Sequence, residues 1–231
     1  REVIKLDLKG LHFGTPNGIR LQRGDQELWG LMKKAGWKML LVAPESGSER
    51  TQKLMKKDLK LEVVPGVVRD IRNAGLKVQG FFIMGYPGEE PSDLQDTLNL
   101  IKECKFNFVF LANFQPLPGT PIYNELVDKG EIIDGLLPHN YSDGARAYTP
   151  KSFENFNFSK FIIKIHLSMM KNDPLNIPYH LSLMFNLFSP QQVTRKVVRN
   201  IWNSLFPKRQ LDETVFISPM HEQEQKLRIS K

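Results

Sequence analysis

The sequence predicts an α/β protein with a parallel sheet, and three features support this class. Short apolar runs alternate with stretches of helical periodicity between residues 3 and 130, which is the pattern of βαβ units. The run Phe-Phe-Ile-Met at 81–84 is apolar on both faces, as expected of a strand that is covered on both sides. Hydrophobic residues make up 41% and charged residues 25% of the 231 residues, which is typical of a folded globular protein.

The first part of the chain is predicted to hold two strands with a helix between them. Residues 3–13 alternate partly between apolar and polar side chains and break at residues 14–18, which predicts a strand and then a turn. Asp25 is a typical N-cap for a helix that ends near Gly36. Residues 37–43 follow as the second predicted strand.

Two helices and a third strand come next. Ser46 and Glu49 have the spacing of a capping box, which predicts the start of a short helix. A second helical run over residues 65–75 begins with a proline and ends with a glycine. Residues 76–84 form the third predicted strand, which includes the fully apolar run.

The same alternation continues to residue 130. Ser92 is the predicted N-cap of the next helix, and residues 106–114 form the fourth predicted strand. Thr120 precedes a proline and begins a helix that stops at Gly130. We therefore expect four strands with their intervening helices in residues 1–130.

Beyond residue 130 the pattern changes. Residues 131–157 are predicted to be a linker, and residues 158–231 a helical extension with a polar tail, with helices over 159–171 and 190–206. The large apolar side chains of this extension indicate packing against the sheet. A membrane surface or a lipid-like substrate is the alternative.

The chain is basic, with 32 lysines and arginines against 25 acidic residues. Such an excess permits contact with RNA, an anionic lipid or a phosphorylated substrate, or it belongs to a solvated helix face. The densest basic cluster consists of Arg195, Lys196, Arg199, Lys208 and Arg209.

The single cysteine, Cys104, falls in a predicted helix. It can form no internal disulfide and no metal site alone, so we expect it to be a buried apolar side chain. No apolar run approaches the roughly 18 residues that a membrane span needs. A cytoplasmic protein is therefore expected.

Unusual loops follow the predicted strands, at residues 14–18, 45–48, 85–89 and 115–121. Ligands of parallel α/β sheets gather at the carboxyl ends of the strands. The Glu45 carboxylate can accept hydrogen bonds from ribose hydroxyls or an ammonium group. Gly85 and Gly88 permit either close backbone approach to a planar ligand or simply a tight turn.

These loops, in this order, closely resemble the second half of a radical S-adenosylmethionine (SAM) domain, nearest to the subgroup with an N-terminal cobalamin-binding domain. The resemblance implies a partial (β/α)6 TIM-like barrel, of which the chain holds strands three to six, followed by the helical C-terminal extension. The matching phrases are Pro16-Asn-Gly-Ile-Arg20, Glu45-Ser-Gly-Ser48, Lys57, Gly80-Phe-Phe-Ile-Met-Gly-Tyr-Pro-Gly-Glu89 and Pro116-Leu-Pro-Gly-Thr-Pro121.

The resemblance also implies cofactors and partners. In this family SAM ligates a 4Fe-4S cluster, and an electron from a donor such as flavodoxin or ferredoxin cleaves SAM to a 5′-deoxyadenosyl radical. The substrate would be a small or lipid-like molecule, with RNA as a less favoured partner. In the cobalamin subgroup, methylation or rearrangement often follows.

Eight residues are assigned to cofactor binding by the resemblance: Asn17, Glu45, Ser46, Lys57, Ile83, Gly85, Leu117 and Pro118. Glu45 and Ser46 match the motif that contacts the ribose and methionine part of SAM. Lys57 matches a position that pairs with the SAM carboxylate, although it is equally an ordinary exposed helix lysine. No catalytic and no metal-ligating residue is assigned.

The adenine of SAM would meet the two later loops. Ile83 and Gly85 match the strand motif whose side chain and backbone contact adenine, and Leu117 and Pro118 follow the last strand, where the adenine edge is held. Glu89 receives no role, because its spacing differs from the family form Gly-x-Ile-x-Gly-x-x-Glu.

The cluster-binding Cys-x3-Cys-x2-Cys loop of the family and its glycine-rich second-strand motif are not in these 231 residues. A chain with one cysteine cannot supply three thiolate ligands. We therefore expect an inactive fragment of a radical SAM enzyme whose missing motifs precede residue 1. The alternative is a non-catalytic basic module, binding RNA or an anionic surface, on a degenerate barrel.

Overall fold

The computed structural model describes residues 1–8, 10–19, 21, 24–135 and 148–187, which all lie in one compact unit, Arg1–Leu187. The strands are β1 (Phe13–Ile19), β2 (Trp37–Glu45), β3 (Lys77–Met84) and β4 (Phe108–Asn113). The helices are α1 (Glu2–Lys5), α2 (Gln26–Lys34), α3 (Glu49–Leu54), α4 (Val64–Asn73), α5 (Pro91–Cys104), α6 (Pro121–Asp128), α7 (Phe158–Asn172) and α8 (Ile177–Leu187). Short 3-10 turns cover Leu61–Val63, Lys151–Phe153 and Pro174–Asn176.

The four strands form one parallel sheet in the order β1-β2-β3-β4, which confirms the predicted α/β class. Register partners such as Leu40 with Val78, and Gly80 with Val109, share one face. That face is buried in the core together with helices α4, α5 and α7. Burial of this apolar face is the main force holding the sheet and helices together. Because the four strands are parallel, their carboxyl ends all lie along one edge of the sheet.

The N-terminal strand prediction is wrong. Residues 2–5 form helix α1, in which Lys5 bonds to Glu2 one turn earlier, and the first strand is Phe13–Ile19. Its glycines and Pro16 suggested a turn, but β1 is an edge strand, where a proline is tolerated. Its pairing with β2 shows register shifts. Asn17 consequently lies within a strand rather than in a loop after one.

Most helix ends match their sequence signals. Asp25 accepts a hydrogen bond from the Leu28 N–H at 2.8 Å, Gly36 follows helix α2 with φ +101°, and Thr120 caps helix α6. Cys104 ends helix α5 and is buried, as predicted, and burial raises the pKa of its thiol to about 12. This thiol therefore stays protonated and unreactive at neutral pH.

Two predicted helix caps lie two residues away from the caps in the structure. Ser48, not Ser46, caps helix α3 and accepts from the Thr51 N–H. Glu90, not Ser92, caps helix α5 and forms a reciprocal capping box with Asp93. A proline at the first helical position fixes the cap at the residue before it.

The helix predicted over 159–171 is α7, which begins at the Asn157 cap. Its buried residues Phe161, Ile165 and Met169 belong to the same core as the sheet, so this part of the extension packs as expected. Helix α8 was not predicted. The helix predicted over 190–206, the polar tail and the basic cluster at 195–209 lie outside the described residues, and the domain boundaries stay a prediction.

No helix among the residues described here is long and apolar enough to cross a membrane.

Candidate functional site

The site is built on the ends of β2 and β3, which are neighbours in the sheet. Strand β2 ends at Glu45 and β3 ends at Met84, followed by Gly85. Glu45 pairs in register with Phe82 on β3. The two loops that the sequence singled out therefore begin side by side at one edge of the sheet.

Glu45 is held in an unusual conformation by its surroundings. Its φ is +66°, which is uncommon for a residue other than glycine and costs roughly 1 kcal/mol or more. Its Oε1 accepts a hydrogen bond from Lys57 Nζ at 2.9 Å. Its Oε2 is buried, and no donor from the described residues reaches it. A buried carboxylate oxygen without a donor is unfavourable in the free protein and suits a ligand that brings one.

The Glu45–Lys57 pair joins two residues that the sequence had assigned to one ligand. The side chain of Glu45 is 15% exposed and that of Lys57 is 39% exposed. The backbone N–H of Lys57 donates to the Gln52 carbonyl at 2.9 Å, which fixes the lysine backbone beyond the end of α3. The backbone of Lys57 is therefore fixed, while its side chain reaches solvent and its ammonium group can change partner.

The loop after Glu45 is anchored to helix α5. A Cβ on Gly47 would lie 2.6 Å from the Thr97 Cα, so only glycine fits this approach. The Gly47 N–H donates to Thr97 Oγ1 at 2.9 Å. Ser46 is buried, and its hydroxyl oxygen accepts from the Ser48 N–H at 3.2 Å. The Ser46 hydroxyl thus already serves the loop itself.

Gln52 supports the same strand end and was not singled out from the sequence. It is buried, and its Nε2 donates to the carbonyls of Pro44 at 2.6 Å and Ser46 at 2.7 Å. These two bonds bracket Glu45 in the chain. The side chain therefore helps to hold Glu45 in its left-handed conformation.

The second loop turns sharply after β3. Gly85 has φ +74° and Gly88 has φ +80°, conformations that glycine adopts without strain. The Glu89 side chain is fully buried, and its Oε2 accepts from the N–H of Gly85 at 2.6 Å and of Tyr86 at 3.3 Å. Ile83 lies two residues before Gly85. Its side chain is half-buried, and its register partner is Ala112 of β4.

Asp93 of helix α5 connects the two loops. It accepts from Ser48 Oγ at 2.6 Å and from the Arg50 guanidinium, while Arg50 Nη1 donates to the Gly88 carbonyl at 2.8 Å. Burial would raise the pKa of Asp93, but the hydrogen bonds from Arg50 and Ser48 outweigh it and lower that pKa. Asp93 is therefore ionised at neutral pH. Arg50 and Asp93 were not singled out from the sequence, since they stand 43 residues apart.

The remaining assigned residues stand on the outer strand β1 and in the loop after β4. Asn17 is exposed on the edge strand. Leu117 and Pro118 are exposed in the loop after β4, where the Leu117 carbonyl accepts from Thr120 Oγ1 at 2.7 Å. None of the hydrogen bonds found among the described residues joins these three to Glu45 or Gly85.

A cleft of about 440 Å³ is lined by the turn at residues 86–88, by helices α3 and α6 and by residues 148–152. Several of its charged groups are already bonded within the protein. Lys129 pairs with Glu125, and the Tyr148 hydroxyl donates to Glu131 at 2.7 Å. Glu90 serves as the helix α5 cap. The strand ends, where an oxygen of Glu45 has no hydrogen-bond donor among the described residues, are therefore the stronger candidate for ligand binding.

The chain matches one protein-family model, described as the Radical SAM superfamily, over residues 2–101. It is 34% identical over 144 residues to the cytidylyl-2-hydroxyethylphosphonate methyltransferase of Streptomyces wedmorensis, covering 58% of this chain and 27% of that protein. It is 36% identical over 91 residues to the tRNA-2-methylthio-N(6)-dimethylallyladenosine synthase of Vibrio campbellii (strain ATCC BAA-1116), covering 38% of this chain and 19% of that protein. The chain thus spans about a quarter or less of these relatives.

Among solved structures, the fold is similar to that of the radical S-adenosylmethionine methyltransferase TsrM from Kitasatospora setae. The structure with tryptophan and aza-SAM gives a TM-score of 0.57 at 12% identity, over 71% of this chain and 38% of that one. The structure with cobalamin and a [4Fe-4S] cluster gives 0.56 at 15% identity, over 71% and 39%. The likeness confirms the predicted fold class, part of a TIM-like barrel with a helical C-terminal part.

Proposed function

We propose that the chain belongs to the radical SAM superfamily, whose family model matches residues 2–101, and that its β2 and β3 strand ends form one side of a SAM-binding site. Glu45 and Lys57 hold the ribose and methionine part of SAM, with Ser46 supporting the loop. Ile83 and the Gly85 backbone contact adenine. Asn17, Leu117 and Pro118 border the site from the outer strands.

The Oε2 of Glu45, which is buried and meets no donor in the part of the chain that the structure describes, is the observation that carries this proposal. The ribose hydroxyls and the ammonium group of SAM are donors that this buried acceptor lacks in the free protein. Lys57 can leave Glu45 and pair with the SAM carboxylate, because its side chain is 39% exposed. Exchange of one carboxylate partner for another keeps the ammonium group paired throughout.

The described residues do not fit a 4Fe-4S cluster. The sequence has one cysteine, Cys104, which is buried at the end of α5. No group of three or more histidine, cysteine or acidic side chains capable of holding a metal occurs within the described ranges. We propose that the cysteine ligands of the cluster come from residues other than these 231.

For the reaction, we propose a SAM-dependent methyl transfer. The Streptomyces relative is named a methyltransferase, and TsrM is a methyltransferase solved with cobalamin. Cobalamin on a separate domain is therefore part of the proposal, with rearrangement as the other chemistry. We propose that the electron donor is a flavodoxin or ferredoxin and that the substrate is a small or lipid-like molecule. The proposed location is the cytoplasm. No observation on the described residues favours the RNA-binding alternative.

Binding of S-adenosylhomocysteine to the 231-residue chain tests the site without the cluster. Saturation-transfer difference NMR detects weak ligands, and we expect signals from the ribose and adenine protons. Glu45→Gln removes the carboxylate charge and is expected to weaken binding about tenfold or more, as loss of a charge-assisted hydrogen bond does.

The matched control is Glu49→Gln, an exposed glutamate four residues further along the chain, at the start of helix α3. It is expected to bind like the wild type. Absence of any signal at millimolar ligand, or equal binding by Glu45→Gln and wild type, would overturn the proposed site.

A further inference from the structure

Glu89 is the most deeply buried carboxylate near the site, and no role in the family motif was assigned to it. It is 0% exposed, and acidic side chains are almost never fully buried without a partner. Its Oε2 accepts from two consecutive backbone N–H groups, those of Gly85 and Tyr86. Its Oε1 is buried and receives no hydrogen bond from the described residues.

The hydrogen bonds of Glu89 determine which backbone groups of the turn remain available to a ligand. The Glu89 N–H donates to the Tyr86 carbonyl at 2.9 Å, so backbone and side chain of Glu89 both close the same turn. Because the Gly85 and Tyr86 N–H groups are taken up by the carboxylate, neither is available to a ligand. Any backbone contact from Gly85 to adenine must therefore use its carbonyl or its Cα.

The charges around Glu89 come from two helices. Arg50 of α3 stabilises the ionised carboxylate, and Asp93 of α5 opposes it, while Glu90, its exposed neighbour, caps α5. From the other side, Ser152 Oγ donates to the Glu89 carbonyl at 2.7 Å. Burial raises the pKa of Glu89 to about 7, despite the two N–H bonds and Arg50. The carboxyl group therefore gains or loses a proton near neutral pH.

We propose that Glu89 is a positioning residue of the SAM site, whose carboxylate holds the Gly85–Gly88 turn in its binding conformation. On taking up a proton the side chain stays buried, its two N–H bonds weaken, and the turn loosens. The proposal rests on the proposed function for the identity of the ligand. An ionised acceptor makes shorter and stronger hydrogen bonds than a neutral one. Protonation of Glu89 thus weakens both N–H bonds, and ligand affinity rises with pH through neutrality.

The first test observes the turn directly and needs no ligand. Met84-Gly85 is the only Met-Gly pair in the sequence, so a chain labelled with 13C-carbonyl methionine and 15N-glycine gives one assigned amide signal for Gly85. We expect this signal far downfield, moving with a midpoint near pH 7. In Glu89→Gln the transition should vanish. In the control Asp96→Asn, an exposed residue of helix α5, the transition should persist.

The second test measures S-adenosylhomocysteine affinity between pH 5.5 and 8.5, a range chosen around neutrality. Glu89→Ala should bind about tenfold more weakly at pH 8, because both N–H groups lose their acceptor. Glu89→Gln retains a side-chain oxygen and should rescue binding to within a few-fold, without pH dependence.

The outcomes separate the two proposals. A Gly85 signal that does not titrate, or that titrates equally in Glu89→Gln, overturns the role of Glu89 whatever the ligand is. If the wild type fails to bind S-adenosylhomocysteine while the Gly85 signal titrates as expected, the proposed function fails and the hold of Glu89 on the turn stands. If the wild type binds and Glu89→Ala binds equally well, the positioning role is overturned.

Discussion

Two glutamates stand near neighbouring strand ends, and they are used in opposite ways. Glu45 is partly exposed, and its bonded oxygen pairs with a lysine whose ammonium group reaches solvent. Glu89 is fully buried, and its bonded oxygen faces two backbone N–H groups. A lysine can exchange one carboxylate for another, whereas a backbone N–H cannot leave without unfolding the turn. The hydrogen-bond partner of each carboxylate, rather than the residue type, therefore distinguishes the glutamate proposed to face the ligand from the glutamate that holds the loop.

The two regions nevertheless form one structural unit. Asp93 bonds to Ser48 in the first loop, and Arg50 bridges Asp93 to the Gly88 carbonyl in the second. Charge-assisted hydrogen bonds of this kind are the stronger class in proteins. The comparison therefore predicts that changes in the anchoring contacts affect stability most, and changes at the exchangeable lysine least.

The largest effect is expected for Gly47→Ala. Its Cβ would lie 2.6 Å from the Thr97 Cα and 2.8 Å from the Asp96 carbonyl oxygen, so helix α5 or the loop must move. We expect the free energy of unfolding in urea to fall by about 3 kcal/mol, the upper range for overpacking. The matched control is Gly30→Ala within helix α2, where a Cβ meets no described atom within 4 Å apart from its chain neighbours and the backbone of its own helix. That change should stabilise the protein by about 0.5–1 kcal/mol, and equal losses in both variants would contradict the anchoring role.

A smaller effect on the free energy of unfolding is expected from Glu89. Its contribution to stability falls as the pH rises, whereas that of a carboxylate with a lowered pKa falls as the pH drops. Its pKa in the folded protein, about 7, lies above its ordinary value of 4.5. The folded state therefore binds more protons, and this stabilisation is full below about pH 4.5 and is lost as the pH rises through 7. Between pH 5 and 7 the contribution should fall by about 2 kcal/mol.

The measurement is the free energy of unfolding as a function of pH for the wild type and Glu89→Gln. The difference between the two curves should change across this window and level off above pH 8. Asp93 has a lowered pKa, so its contribution is lost only in more acidic solution, as the pH falls below its ordinary value. Parallel curves for wild type and Glu89→Gln would show that Glu89 does not titrate near neutrality.

The sequence predicted those features that depend on near neighbours in the chain. Asp25 and Thr120 were correctly identified as helix caps, because a cap and its N–H partner lie three residues apart. The capping box at Ser46 was wrong, because Ser46 is buried in contacts with helix α5, about fifty residues away. Ser48 is the cap, and its hydroxyl also meets Asp93.

The edge strand and the site network were missed for related reasons. Pro16 and its flanking glycines have the composition of a turn, and only the pairing with β2 makes them a strand. Glu45 and Lys57 were both identified as site residues through the family resemblance, but as separate contacts to a ligand. Their pairing with each other follows from the end of helix α3, which brings Lys57 back to the strand end.

The smallest effect on stability is expected for Lys57→Met. The pair with Glu45 is partly exposed, and such ion pairs contribute about 0–1 kcal/mol. Methionine keeps the apolar stem while removing the charge, so the free energy of unfolding in urea should change by less than about 1 kcal/mol. Affinity for S-adenosylhomocysteine should nevertheless fall, because the ligand carboxylate loses its counter-charge. The control Lys60→Met, an exposed lysine three residues further along, should change neither quantity. A large loss of stability in Lys57→Met would mean that this lysine holds the loop together as Glu89 does, and that the contrast between exchangeable and fixed partners is wrong.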